Sequence, residues 1–184
     1  MSNYGNPPTN PYGQPEYHGQ PTGQAGAPTY AHWGKRVGAY LIDGLIVVLA
    51  MIPYYIGAGM NAASMETTTD PATGLTTATG GGSGLGLALM AIGGLLALAV
   101  FIWNTCLKGG KTGWSIGKGV MGIRLLKEST GQPIGAGMAF VRYLLHILDS
   151  LPCYIGYLWP LWDSKRQTFA DKIVSTVVIE QPKG

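Results

Sequence analysis

The stretch KRVGAYLIDGLIVVLAMIPYYIGAG, Lys35 to Gly59, decides how the rest of the chain is read. Beyond Arg36 it contains one charged residue, Asp43. About 20 mostly apolar residues, at ~1.5 Å rise each, cross the ~30 Å hydrocarbon core of a bilayer. The stretch therefore predicts a transmembrane helix over about 37–59, kinked near Pro53 and anchored at its far interface by Tyr54 and Tyr55. Asp43 lies two turns inside. An acid at that depth costs roughly 2.5–3.5 kcal/mol on insertion scales, so its side chain must face protein or water. Arg36 and Asp43 stand on nearly the same helix face, where the arginine can lean toward the carboxylate.

Composition agrees with a membrane class. Of 184 residues, 46% are hydrophobic and only 11% charged, against about 25% charged in soluble domains. The net charge of +3 is too small to argue for nucleic acid, and the basic residues cluster beside hydrophobic segments. Cys106 and Cys153 lie in apolar surroundings without a CxxC or Cys/His cluster, so both read as small hydrophobes. The opening lacks a basic region followed by an apolar core, and no cleavable signal peptide is expected.

Residues 1–32 are rich in Pro, Gly, Gln, Asn and Tyr and read as a disordered cytoplasmic tail. Tyr4, Tyr12, Tyr17 and Tyr30 stand beside Pro or Gly or close to them, a pattern compatible either with weak multivalent contacts to a partner or with a plain flexible tail. The loop 60–83 contains Glu66 and Asp70 but no Lys or Arg, which places it outside and the Lys35/Arg36 end inside. A second helix is expected over about 84–106, with Gly86, Gly93 and Gly94 offering close approach to a neighbour. The basic segment 107–133 follows, with a strand-like run at 120–126. GKTGWS is no Walker A loop, because the upstream glycine position holds Thr105. GKGVMG, Gly117 to Gly122, precedes a strand-like run instead of linking strand to helix, which fails the dinucleotide test.

A third hydrophobic segment, 134–162, carries Arg142, His146 and Asp149 on one helical face. Two accounts stand: a partly buried salt bridge with a hydrogen-bonded histidine, or a polar track for protons or cations. Pro152 divides the segment, leaving either one long span or an amphipathic helix to about Asp149 followed by a shorter piece. A second strand-like run, 173–179, would share a sheet with the first only if both lie on the cytoplasmic face and the third segment is re-entrant or interfacial.

Taken together, KRVGAYLIDGLIV, KTGWSIGKGVMGIRLL, RYLLHILDSLPCYI and SKRQTFADKIVSTVVI resemble the RDD family of small bacterial membrane proteins, over about residues 33–180. The tail is similar to those of actinobacterial members. The family's arginine and first aspartate match Arg36 and Asp43. Its second aspartate matches Asp171, with Asp149 a competing assignment. The resemblance implies exchange of sodium or other cations for protons in some members and no general activity in most.

The expectation is an all-α membrane protein with two transmembrane helices, a third spanning or re-entrant segment and a small cytoplasmic β element, in a bacterial inner membrane with its N-terminus cytoplasmic. Its buried polar candidates are Arg36, Asp43, Arg142, His146, Asp149 and Asp171. Cation or proton movement as a homo-oligomer, or beside another membrane protein, is set against a membrane anchor or assembly factor whose tail and β element recruit a cytoplasmic partner. Neither requires a cofactor, metal or nucleic acid, and no nucleophile–base pair suggests an enzyme.

Overall fold

The computed structural model describes residues 28–182 and is mostly helical. Most of the tail expected to be disordered, with Tyr4, Tyr12 and Tyr17, lies outside the described residues. Its last residues are held in place: the Ala31 amide donates to the Val178 carbonyl (2.8 Å) and the Glu180 amide to the Thr29 carbonyl (2.8 Å).

The first hydrophobic segment forms two helices, α1 (Trp33–Ala50) and α2 (Ile52–Ala63), bent by 51°. Pro53 causes the break, since it lacks an amide hydrogen and its ring crowds the carbonyl four residues back. A short hairpin follows, β1 (Met65–Thr69) antiparallel to β2 (Thr76–Gly80), fully exposed, where only a loop was expected. Threonine-rich flanks on either side of the Asp70–Gly74 turn account for it.

Helix α3 (Gly84–Phe101) runs through a π-helical stretch, Ile102–Lys108, into α4 (Gly109–Thr112). It packs on α2 through backbone contact. A Cβ added to Gly57 would sit 2.3 Å from the Gly86 carbonyl oxygen, and one added to Gly93 would sit 2.3 Å from the Tyr54 nitrogen. Among the described residues, Gly84–Thr112 is the one continuous helix long and apolar enough to cross a membrane. Of the two expected spans, one is this continuous helix; the other is the bent pair α1 and α2, which counts as a second span if the pair is taken as one.

Gly113, with φ +82°, ends α4, and the chain folds back as α5 (Ile116–Val120) against α1. β3 (Ile123–Lys127) then pairs antiparallel with the C-terminal β4 (Thr176–Glu180), in the register Leu125↔Val178. Ala31, Ala39, Ile123, Leu125 and Val178 form the buried core between this ribbon and the start of α1. Val120, the first residue of the expected strand 120–126, is instead the last residue of α5, and the strand starts at Ile123.

Segment 134–162 is not one helix. Helix α6 (Ala136–Ser150) ends in a turn where Cys153 and Tyr154 adopt positive φ. Then come α7 (Ile155–Leu158), a 3-10 turn at Trp159–Leu161, and α8 (Phe169–Ile173). Pro152 and the left-handed pair after it stop the helix.

Candidate functional site

The six polar candidates separate into clusters that the linear spacing does not announce. The first is built on Asp171, in the opening turn of α8. Thr168 caps that turn in a reciprocal box: its hydroxyl accepts from the Asp171 amide (3.2 Å) while the Asp171 carboxylate accepts from the Thr168 amide (3.2 Å). The carboxylate also accepts from Arg36 Nη1 (2.6 Å), Arg142 Nε (2.8 Å) and the Thr176 hydroxyl (2.9 Å), and its side chain is wholly buried. Burial opposes ionisation, but the guanidiniums of Arg142 and Arg36 outweigh it and hold the carboxyl well below the usual range. Two cations share this anion. Among the described residues, Arg36 Nε and Nη2 are buried without a hydrogen-bond partner.

The second cluster is built on Asp149, fully buried near the end of α6. One oxygen accepts from the Phe169 amide (2.8 Å) and the other meets His146 Nδ1 (2.5 Å). The Tyr157 ring stacks on His146 at 5.4 Å, and its hydroxyl donates to the His146 carbonyl. Gly156 leaves room for this carboxylate, because an added Cβ would lie 2.5 Å from the Asp149 Cα. Asp149 therefore latches α6 onto the amide end of α8, the two aspartates gripping the same short helix from different sides.

The third cluster is built on Asp43, and every direct donor to it is neutral. Asn104 Nδ2 (2.7 Å) and the Gly117 amide (2.8 Å) donate to Oδ1, and the Ser115 hydroxyl (2.5 Å) donates to Oδ2. Asn104 is oriented by accepting from the Ile116 amide (2.8 Å), and it projects from the π-helical stretch, a local widening often met at functional positions. Gly117 must be glycine for α5 to reach the carboxylate, since a Cβ there would sit 2.0 Å from the Ala39 carbonyl oxygen. Lys118 Nζ lies 3.4 Å from the Ser115 hydroxyl.

Two expected pairings are corrected. Arg36 does not pair with Asp43: seven residues of helix separate their Cα atoms by about 10 Å along the axis, and α8 brings Asp171 closer. Arg142 does not pair with Asp149 either, but turns to the same Asp171. Asn104, Ser115, Gly117 and Lys118 were missed as site residues. Of these only Ser115 carried a signal, as a helix cap before IGKG.

An apolar helix of membrane length and charged clusters joining its neighbours define a membrane protein with a polar interior. The chain belongs to the RDD family, whose model matches residues 30–175. It is 40% identical over 156 residues to the proline-rich antigen of Mycobacterium leprae (strain TN), covering 82% of this chain and 61% of that protein. It is 50% identical over 91 residues to the proline-rich antigen homolog of Mycobacterium tuberculosis (strain ATCC 25618 / H37Rv), covering 50% of this chain and 37% of that protein. The chain thus spans less than two thirds of the length of these relatives. No solved structure matches it.

Proposed function

We propose that this RDD protein moves small monovalent cations or protons across a bacterial inner membrane, as an oligomer and without enzymatic chemistry. The observation that carries this is the contrast between two carboxylates. Asp171 is neutralised twice over by arginines, whereas Asp43, nearly three turns into α1, has three neutral donors and no cation within 4 Å among the described residues. A carboxylate whose direct donors are all neutral keeps its Coulombic attraction for a mobile cation. Asp171, Arg36 and Arg142 are then the frame, and Asp149 with His146 the latch. Support for a cytoplasmic N-terminus comes from the basic segments around α1, α4 and β3, and from the exposed β1–β2 hairpin, which has Glu66 and Asp70 but no Lys or Arg. The β3–β4 pairing favours a third segment that returns to the side it left.

The test is ion flux in proteoliposomes holding a pH-sensitive dye, under sodium, potassium and proton gradients. Flux is expected in the wild type and absent from folded Asp43→Asn. Equal flux in both proteins would remove Asp43 from the pathway.

A second proposal, an anchor or assembly factor recruiting a cytoplasmic partner, is favoured by one observation. The chain just before α1 is stitched to β4 by Ala31 and Thr29, so the tail leaves from the ribbon itself. Deleting residues 2–27 would abolish recruitment on this proposal and spare flux on the first.

A further inference from the structure

Among the described residues, Lys118 is the one cationic side chain of the Asp43 cluster. Its ammonium reaches the Ser115 hydroxyl (3.4 Å), and that hydroxyl donates to Asp43 Oδ2 (2.5 Å), so one side chain separates the cation from the carboxylate. Lys118 is partly buried and, among the described residues, has no carboxylate within 4 Å. The charged groups facing it are Arg142 of α6, Asp43 and Arg36 of α1, and Asp171 of α8. Asp171 is engaged by both arginines, which leaves Asp43 as the acid whose charge Lys118 can balance. α5, which carries both Ser115's capping bond and Lys118, also supplies the Gly117 amide to Asp43, so Lys118 is fixed to the site by its own backbone.

We propose that Lys118 is a tethered cation that competes with a mobile monovalent cation for the Asp43 carboxylate, giving up its proton when the mobile ion binds. The inference rests on the transport proposal above and adds to it the stoichiometry of the exchange. In the resting site the protonated ammonium balances the carboxylate. When a sodium or potassium ion takes that place, the ammonium releases one proton to solvent and remains as the neutral amine. One positive charge enters and one leaves, so the site stays neutral throughout. Burial, reinforced by Arg142, pushes the Lys118 amine down to about 8, which puts the exchange within reach of ordinary pH.

The experiment is calorimetric titration of the purified full chain in detergent with sodium chloride and, separately, potassium chloride, against choline chloride, from pH 6 to pH 8.5. Exclusive competition with a proton at about 8 makes the apparent Kd rise roughly 50-fold between pH 8 and pH 6. At pH 7.5 a dye should register roughly 0.8 proton released per cation bound. Lys118→Gln should bind with an affinity constant within twofold across the range and release no proton. Lys118→Arg, charged at every pH, should bind weakly throughout. Lys118→Met replaces the glutamine variant should that fail to fold. Binding in the wild type without pH dependence, or a pH dependence retained in Lys118→Gln, would overturn the role of Lys118 and leave transport through Asp43 standing. Absence of both binding and flux in the folded wild type would overturn the transport proposal and this inference with it.

Discussion

Replacing Asp171 with asparagine keeps the side chain's shape and removes the one charge on which Arg36 and Arg142 converge. Both guanidiniums are close to buried, with 12% and 13% of their side-chain surface exposed. Removing one partner of a buried ion pair costs about 3–5 kcal/mol, because the remaining charge is left uncompensated. Two pairs share this carboxylate, so their losses overlap and do not add. The asparagine amide cannot help: one of its two polar ends would be a donor facing donors on Arg36, Arg142 or Thr176. The expected loss is therefore about 4 kcal/mol, or roughly a thousandfold in the folding equilibrium.

The assay is reversible unfolding in mixed micelles followed by tryptophan fluorescence, with two controls. Lys35→Gln removes an ion pair whose side chains are 39% and 32% exposed and should cost under about 1 kcal/mol. Arg36→Met combined with Asp171→Asn should cost less than the sum of the single changes, since the second removes an already orphaned charge. Stability of Asp171→Asn within about 0.5 kcal/mol of the wild type, or strict additivity in the double variant, would refute the assignment of Asp171 as the frame.

Three further outcomes are expected. Gly117→Ala drives a methyl into the Ala39 carbonyl and displaces the amide that holds Asp43, so cation flux should fall at least tenfold while the unfolding transition remains cooperative. Gly156→Ala places a Cβ 2.5 Å from the Asp149 Cα and should loosen the α6–α8 latch, seen as faster hydrogen exchange of the Phe169 and Ala170 amides. The Asp171 carboxyl titrates lower in the folded chain than in the unfolded one, so its stabilisation is complete above the unfolded value near pH 4 and drains away as pH falls below it. The wild type should therefore lose stability more steeply than Asp171→Asn between pH 5 and pH 3.

What could be read from sequence was whatever depends on local spacing. The apolar run of α3, the break at Pro53, the β-branched strand near the C-terminus and the identity of the charged residues all follow from composition over a few neighbouring positions. The partners of those charges do not. Arg36 and Asp171 meet across 135 residues, and Asp43 meets Gly117 across 74, distances over which helical periodicity says nothing. Arg36 and Asp43 share a helix face, and so do Arg142 and Asp149, which made each pair look self-contained. Even the capping box from Thr168 to Asp171, legible as a T-x-x-D pattern, hid the role of its aspartate, because a cap uses only part of a carboxylate and leaves the rest for other donors.

The two aspartates show why charge type alone cannot assign function in such a chain. Asp43 lies within an apolar stretch and Asp171 in a soluble-looking tail, so depth in the sequence would make Asp43 the residue most in need of a countercharge. The fold distributes charge the other way. Both arginines go to Asp171, which is wholly buried and belongs to a helix of five residues too short to be stable without them. Asp43 is only partly buried and is served by an asparagine, a serine and a backbone amide, donors that carry no countercharge. On the transport proposal, the absence of a fixed countercharge within 4 Å of Asp43 among the described residues, with Lys118 one hydroxyl away, is what leaves room for a mobile cation.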